Sequence, residues 1–171
     1  RGHTRNLVVA ATGTGKTWVS AFDYQRLQSS GLKRLLFVAH RDEILKQSQQ
    51  VFQLVLKDSC FGERFIADER PVLGDHVFAS IQSLSRHVDE MDPHPWDVVI
   101  VDEFHHAEAA TYKRLLEHLK PEILIGLTAT PERADGKEIL HYFDDRIACD
   151  LRLWQALDEG LVAGAGFDVA S

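Results

Sequence analysis

The sequence predicts an α/β domain with a doubly wound, mostly parallel sheet and helices on both faces. Three observations support this fold class. Short runs rich in Val, Ile and Leu recur along the chain, as is typical of strands that are buried on both faces. Segments with apolar residues at helical spacing lie between these runs, and this alternation favours a parallel sheet. A glycine-rich loop joins the first run to the first helical segment, and ligands of such sheets bind where strands end.

The predicted elements follow from these patterns in chain order. The predicted strands are residues 7–10, 35–39, 76–80, 98–101 and 123–127, and residues 64–67 are compatible with one more. The first predicted helix begins after residue 17. Three further helices are predicted at residues 44–55, 109–119 and 153–157. Pro121 ends the helix predicted at 109–119 because proline cannot continue a helix. Gly160 closes the helix predicted at 153–157. Polar segments with Pro and Gly, 57–75 and 85–97, are predicted to be loops.

Length and composition favour one domain with an ordinary core, since 44% of the 171 residues are apolar. We expect the chain to be a piece of a longer protein, with residues 164–171 as a truncated linker or tail. The short apolar runs predict no transmembrane helix, and no signal peptide is visible. Two cysteines without a Cys-x-x-Cys motif suit a reducing, cytoplasmic compartment.

Charge gives a weaker indication of partners. The net charge of −7 argues weakly against a polyanionic partner. Residues 1–46, however, carry eight basic and three acidic side chains, so a local basic face is compatible with the sequence.

The loop between the first strand and the first helix has the pattern of a phosphate-binding loop. It contains Thr12, Gly13, Thr14, Gly15, Lys16 and Thr17. The glycines let backbone N–H groups approach an anion closely. Lys16 supplies a charge for the β- and γ-phosphates of ATP, and the Thr17 hydroxyl can ligate Mg²⁺. The usual pattern has Gly where this chain has Ala10. The alternative to a phosphate-binding loop is a glycine-rich turn that binds no ligand.

Two carboxylates, Asp102 and Glu103, directly follow the fourth strand. Burying a carboxylate at such a position costs free energy, which a bound cation or a catalytic function would justify. We expect Asp102 to hold Mg²⁺ and Glu103 to activate the attacking water as the general base. The alternative is that Asp102 only caps the next helix. His105 is expected to contact the γ-phosphate side, and zinc is not expected because no second ligand group has suitable spacing.

The fifth strand ends in Thr128, Ala129 and Thr130, followed by Pro131. This segment could form only a turn. Its predicted position beside the Asp102–Glu103 strand end instead favours a coupling role, in which the hydroxyls sense the nucleotide state.

Taken in order, these segments resemble the first RecA-like domain of superfamily-2 helicases and translocases of the DEAD/DEAH-box type. The first segment is similar to motif I in the form A-x-x-G-x-G-K-T, which accounts for Ala10. Asp102-Glu103-Phe104-His105 resembles motif II, with Phe104 where Ala or Cys is more usual. Thr128-Ala129-Thr130 resembles motif III. The resemblance is strongest to restriction-enzyme motor subunits and related repair helicases, and it covers roughly residues 7–163. We expect residues 1–163 to form one ATP-binding motor domain.

The resemblance implies further contacts. Residues 38–47 are similar to motif Ia, and residues 79–84 to a later DNA-contacting motif. By this similarity His40, Arg41, Ser80 and Gln82 would lie near a phosphodiester backbone, of DNA or of RNA. The family also places an arginine finger on a second RecA-like domain, so the isolated chain is expected to hydrolyse ATP poorly. A P-loop switch or kinase without nucleic-acid work, and a degenerate nucleotide-binding scaffold, are the alternatives.

Overall fold

The computed structural model describes residues 4–10, 15–67, 69–92, 95–104, 110–129, 141–143 and 147–151. Within these ranges seven strands form one sheet. They are β1 Arg5–Ala10, β2 Leu35–Ala39, β3 Glu63–Phe65, β4 His76–Ser80, β5 Val98–Val101, β6 Ile123–Thr128 and β7 Ile147–Leu151. Their order across the sheet is β3-β4-β2-β5-β6-β1-β7. All the neighbouring strands pair in parallel, which confirms the predicted fold class.

The five predicted strands are all present, and the segment near residue 64 forms the short edge strand β3. The strand β7 was not predicted. Its sequence, Ile-Ala-Cys-Asp-Leu, has two small residues and Asp150 in place of a continuous Val/Ile/Leu run. It pairs with β1 at the other edge of the sheet, with an irregularity in the register between Leu7 and Val8. The helix predicted at 153–157 lies outside the described residues.

In the same described ranges, four α-helices cover the sheet. They are α1 Lys16–Ser29, α2 Asp42–Leu56, α3 Ile81–Ser85 and α4 Ala110–His118. The side chains of each strand alternate between the two faces, as the pleat requires. Leu35 and Phe37 of β2 join the core under α1 and α2, whereas Leu36 and Val38 join the core under α3 and α4. The sheet is therefore buried on both faces, which explains why its strands read as continuous apolar runs.

Helix α2 illustrates how the sequence sets an element and its orientation. Its buried side chains are Leu45, Ser48, Phe52 and Val55, which is the stripe that helical spacing predicts. Asp42 lies in the first turn, where a negative charge is favourable beside the positive end of the helix dipole. The helix ends at Lys57 in a left-handed conformation with φ 55°. At its other end, α2 begins close to the carboxyl end of β2.

Candidate nucleotide and nucleic-acid site

The order of the strands brings the predicted motifs together at one edge of the sheet. Because the strands are parallel, their carboxyl ends all meet at this edge. The phosphate loop follows β1, the segment Thr128–Ala129 closes β6, and Asp102 follows β5. Adjacent strands are about 4.8 Å apart, so the ends of β1 and β5 lie about 10 Å apart with β6 between them. The three predicted ATP-site segments are thus neighbours in space.

The described part of the phosphate loop is its last residue, Gly15, and the helix start that follows. Gly15 has φ 81° and is the N-terminal cap residue of α1, a left-handed conformation that glycine adopts at little cost. Lys16 and Thr17 are the first two residues of α1 and are half-buried. Both side chains therefore start at the positive end of a helix dipole, where anions bind readily. Thr12, Gly13 and Thr14 lie outside the described residues.

The turn after β5 places the two carboxylates. The backbone N–H of Asp102 donates to the carbonyl of Val38 at 2.9 Å, so the pairing with β2 continues to this residue. One carboxylate oxygen of Asp102, Oδ1, accepts from the N–H of Glu103 at 2.9 Å. Glu103 has φ 52°, a left-handed conformation that costs a residue with a side chain about 1–2 kcal/mol. Such strain is concentrated at functional sites. His105 lies outside the described residues.

Asp102 is only 8% exposed. Burial raises the pKa of its carboxyl above the ordinary value. The hydrogen bond from Glu103 and the positive charge of Lys16 oppose this rise, and the charge of Glu103 adds to it. The influence of Lys16 on Asp102 supports their placement in one site. Burial of an ionised carboxylate costs free energy, and a bound cation would offset that cost.

We expect Asp102→Asn to raise the melting temperature of the ligand-free protein by about 2–4 °C near neutral pH, because it removes a buried charge. The sign follows from the raised pKa. The folded state holds this proton more tightly than the unfolded state, so wild-type stability falls as pH rises through the window above about 4. The gain from Asn should therefore be present at neutral pH and shrink as the pH is lowered toward 4. Thermal unfolding followed by circular dichroism between these pH values measures it.

Asp97→Asn is the matched control for this substitution. The Oδ2 of Asp97 accepts the backbone N–H groups of Lys33 and Arg34 at 2.7 and 2.9 Å. The same loss of charge should therefore lower the melting temperature, since hydrogen bonds to a charged acceptor are the stronger ones. A lower melting temperature for Asp102→Asn at neutral pH would contradict the assignment of Asp102 as a stability cost.

Phe104, where the resembled motif usually has Ala or Cys, is explained by packing. Its side chain is fully buried and meets Phe143 edge-on, with ring centroids 4.6 Å apart. Gly126 of β6 makes room for both rings. A Cβ built at Gly126 would lie 2.5 Å from Phe143 and 3.0 Å from Phe104. Phe104 thus fills the space that a glycine leaves on the neighbouring strand, directly after Asp102 and Glu103 in the sequence.

The predicted coupling segment is only partly described. Thr128 is the last residue of β6 and is fully buried, and Ala129 follows it half-buried. Thr130 lies outside the described residues. Because β6 separates β5 from β1, this segment stands between Asp102 and the phosphate loop. The position is the one that a sensor of the nucleotide state requires, and the sensing role itself stays a prediction.

The predicted nucleic-acid residues follow β2 and β4, on the other side of β5 from the phosphate loop. The side-chain amide of Gln82 and Nδ1 of His40 are 3.1 Å apart and hydrogen-bonded. Arg41 is exposed and is the N-terminal cap residue of α2. A cavity of about 390 Å³ is lined by these three residues among others. The structure thus brings His40, Arg41 and Gln82 to one surface.

Ser80 lines the same cavity but is far more buried than these three residues. It is 2% exposed, and its hydroxyl oxygen accepts the backbone N–H of Ser83 at the start of α3. The same hydroxyl donates to Oγ of Ser83 at 2.9 Å. Ser80 therefore caps α3 and fixes the position of Gln82. A direct contact of its hydroxyl with a nucleic acid stays a prediction.

Sequence reasoning missed Arg86 and Tyr112. Arg86 is exposed at the end of α3 and lines the 390 Å³ cavity together with Gln82. It also lines a second cavity of about 460 Å³, which Tyr112 of α4 borders. The spacing of four residues between Gln82 and Arg86 would have placed them on one helix face, but α3 was not predicted as a helix. Nothing in the local sequence distinguishes Tyr112 from a core aromatic residue.

Comparison with known proteins identifies the family. A family profile described as "Type III restriction enzyme, res subunit" matches residues 1–133. The chain belongs to this family. It is 28% identical over 180 residues to IRC3 of Saccharomyces cerevisiae, a protein named for ATP-dependent helicase activity, and the match covers 98% of this chain and 26% of IRC3. The chain thus spans about a quarter of that relative. The resemblance to superfamily-2 motor domains is confirmed.

Solved structures support the fold. The helicase domain of Hef from Pyrococcus furiosus superposes with a TM-score of 0.70 at 18% identity, over 88% of this chain and 35% of that one. The restriction-modification enzyme LlaGI, solved with a DNA substrate mimic, gives a TM-score of 0.66 at 17% identity, over 94% and 19%. Both likenesses show a RecA-like fold. Among the described residues, no helix has the length and apolar character needed to cross a membrane.

Proposed function

We propose that the chain is the ATP-binding motor domain of an ATP-dependent DNA helicase or translocase. The observation that carries this proposal is the arrangement at the carboxyl edge of the sheet. The proposed ATP-site residues follow β5, β6 and β1, and the exposed polar residues His40, Arg41 and Gln82 follow β2 and β4. The hydrogen bond from the Asp102 N–H to the Val38 carbonyl links the end of β5 to β2, the strand that precedes His40 and Arg41. Names of relatives that mention helicase activity and restriction enzymes support the same conclusion.

Each ATP-site residue has a role that its position supports. Lys16, at the positive end of α1, would bind the β- and γ-phosphates. Glu103 would accept a proton from the attacking water. The hydroxyl of Thr17 and the buried carboxylate of Asp102 are oxygen donors of the kind that Mg²⁺ prefers, and both would hold it. Bound Mg²⁺ neutralises charge on the phosphates. We extend the phosphate site to Thr12, Gly13, Thr14 and His105 by the family resemblance.

Movement on nucleic acid would require a partner domain. In the resembled family, ATP lies between two RecA-like domains, and the second supplies an arginine finger. We propose that the longer protein carries that second domain, and that Thr128, Ala129 and Thr130 report the nucleotide state to it. Exposed polar and cationic side chains on the nucleic-acid side would hold a strand by its phosphates, which positions the strand without reading its sequence.

The test compares the full-length protein with the isolated 171-residue chain. ATP hydrolysis by the full-length protein should rise on the order of tenfold with single-stranded DNA. The 171-residue chain by itself should show little turnover with or without DNA, because in the resembled family a second RecA-like domain completes the ATP site. A parallel measurement with RNA of the same sequence decides between the two nucleic acids. ATP hydrolysis by the full-length protein that neither nucleic acid changes would overturn the proposal and favour a P-loop enzyme of another kind.

A further inference from the structure

Tyr112 presents a polar group that the packing of the core does not explain. It lies on α4 and is 2% exposed. Its hydroxyl is buried without a hydrogen-bond partner in the part of the chain that the structure describes. An unpaired buried hydroxyl destabilises the fold, whereas Phe would fill the same space without that cost. The hydroxyl therefore lowers the stability of this conformation. Its presence indicates a role in a second conformation, in which the hydroxyl has a partner.

The location of Tyr112 indicates that role. Tyr112 borders the 460 Å³ cavity between α3 and α4, which is also lined by His40, Gln82 and Arg86. These are the residues on the proposed nucleic-acid side of the site. Burial raises the pKa of the Tyr112 hydroxyl, and the negative charges of Glu103 and then Asp102 raise it further. The same side chain thus borders the nucleic-acid cavity and lies within electrostatic range of both catalytic carboxylates.

Helices α3 and α4 pack against each other through a shared core in which Leu84 and Leu115 both lie. A nucleic-acid strand that contacts Gln82 on α3 and Arg86 at its C-terminal end would press on this packing. Packed helices respond to such a load by small rigid shifts between discrete arrangements. A shift of α4 relative to β5 changes the distance from the Tyr112 hydroxyl to the carboxylate of Glu103.

We propose that Tyr112 is a positioning residue that couples occupancy of this cavity by a nucleic-acid strand to the general base. With a strand bound, the Tyr112 hydroxyl donates a hydrogen bond to the Glu103 carboxylate and holds it toward the attacking water. A hydroxyl donor and an ionised acceptor make one of the stronger hydrogen bonds in proteins. The inference rests on the proposed function, because it requires both a strand and ATP hydrolysis.

The experiment is Tyr112→Phe in the full-length protein, which removes only the hydroxyl. The readout is the ratio of ATP turnover with saturating single-stranded DNA to turnover without it. We expect this ratio to fall by about tenfold, the loss that one charge-assisted hydrogen bond to the base would cause. The affinity for a fluorescent oligonucleotide should change little. The melting temperature should stay the same or rise, since an unpaired buried hydroxyl has been removed.

Tyr24→Phe is the matched control on the opposite face of the sheet. Tyr24 is also fully buried, but its hydroxyl donates to the carbonyl of Lys33 at 3.0 Å. Its loss should lower the melting temperature by about 2–4 °C and leave the DNA-stimulated ratio unchanged. We therefore expect Tyr112→Phe to lower the DNA-stimulated ratio without lowering the melting temperature. We expect Tyr24→Phe to lower the melting temperature without changing that ratio.

Three outcomes would count against the inference. An unchanged stimulation ratio in Tyr112→Phe, with a stimulated wild type, overturns the coupling role and leaves the proposed function standing. A lower melting temperature in Tyr112→Phe, equal to that of Tyr24→Phe, shows that the hydroxyl has a structural partner and also overturns it. A wild-type protein whose turnover does not respond to DNA or RNA overturns the proposed function and this inference together.

Discussion

Glu103→Gln should lower ATP turnover of the full-length protein by about 10²- to 10⁴-fold, the contribution that a positioned general base typically makes. The amide keeps the size of the side chain but cannot accept the proton of the attacking water. The left-handed backbone at Glu103 is not relieved, because Gln is strained there as much as Glu. We therefore expect an unchanged melting temperature. ATP binding should persist, because Lys16 and Asp102, the residues proposed to hold the nucleotide and Mg²⁺, are unaltered.

Two measurements decide this prediction. Turnover is followed with saturating single-stranded DNA, and ATP affinity is measured by titration with a fluorescent ATP analogue. Glu117→Gln, an exposed position on α4, is the control for the same chemical change and should behave as the wild type. Turnover within a few-fold of wild type in Glu103→Gln would show that another group activates the water, and the role of general base would have to be reassigned.

The strands and the site edge could be predicted because both depend on short stretches of sequence. A strand buried on both faces is a run of apolar residues, and parallel pairing brings every strand end to one edge. Lys16, Asp102 and Thr128 could thus be placed together without coordinates. Strand β7 was missed because its pairing with β1 compensates for a sequence of mixed character, and such tertiary support is invisible in a local window.

Features that depend on contacts between distant residues could not be predicted. Ser80 was assigned to nucleic acid from a motif, but whether its hydroxyl faces a ligand or caps α3 depends on where that helix begins. The unpaired hydroxyl of Tyr112 is a property of its surroundings and not of its neighbours in sequence. Phe104 was noted only as a departure from the usual motif, and its explanation required Gly126 and Phe143, which lie 22 and 39 residues away.

Phe104→Ala should destabilise the domain by about 3–5 kcal/mol, the usual cost of truncating a buried Phe. The side chain is fully buried and packs against Phe143 and Tyr142, with ring centroids 4.6 and 5.8 Å away. Its removal would leave a cavity beside Gly126, which has no side chain of its own to fill the space. Phe22→Ala, on an exposed part of α1, is the control and should change stability by less than about 0.5 kcal/mol. Urea unfolding measures both.

A double-mutant cycle tests whether Phe104 and Gly126 are coupled in this way. Gly126→Ala alone should destabilise by about 1–3 kcal/mol, because its Cβ would crowd Phe143, Leu7 and Phe104. In the Phe104→Ala background one of these three clashes is gone and Phe143 has room to move. Gly126→Ala should therefore cost less there, by about 0.5 kcal/mol or more. Additive losses would instead mean that the two residues do not share one packing site, and that the glycine on β6 does not explain the aromatic residue that follows Asp102 and Glu103.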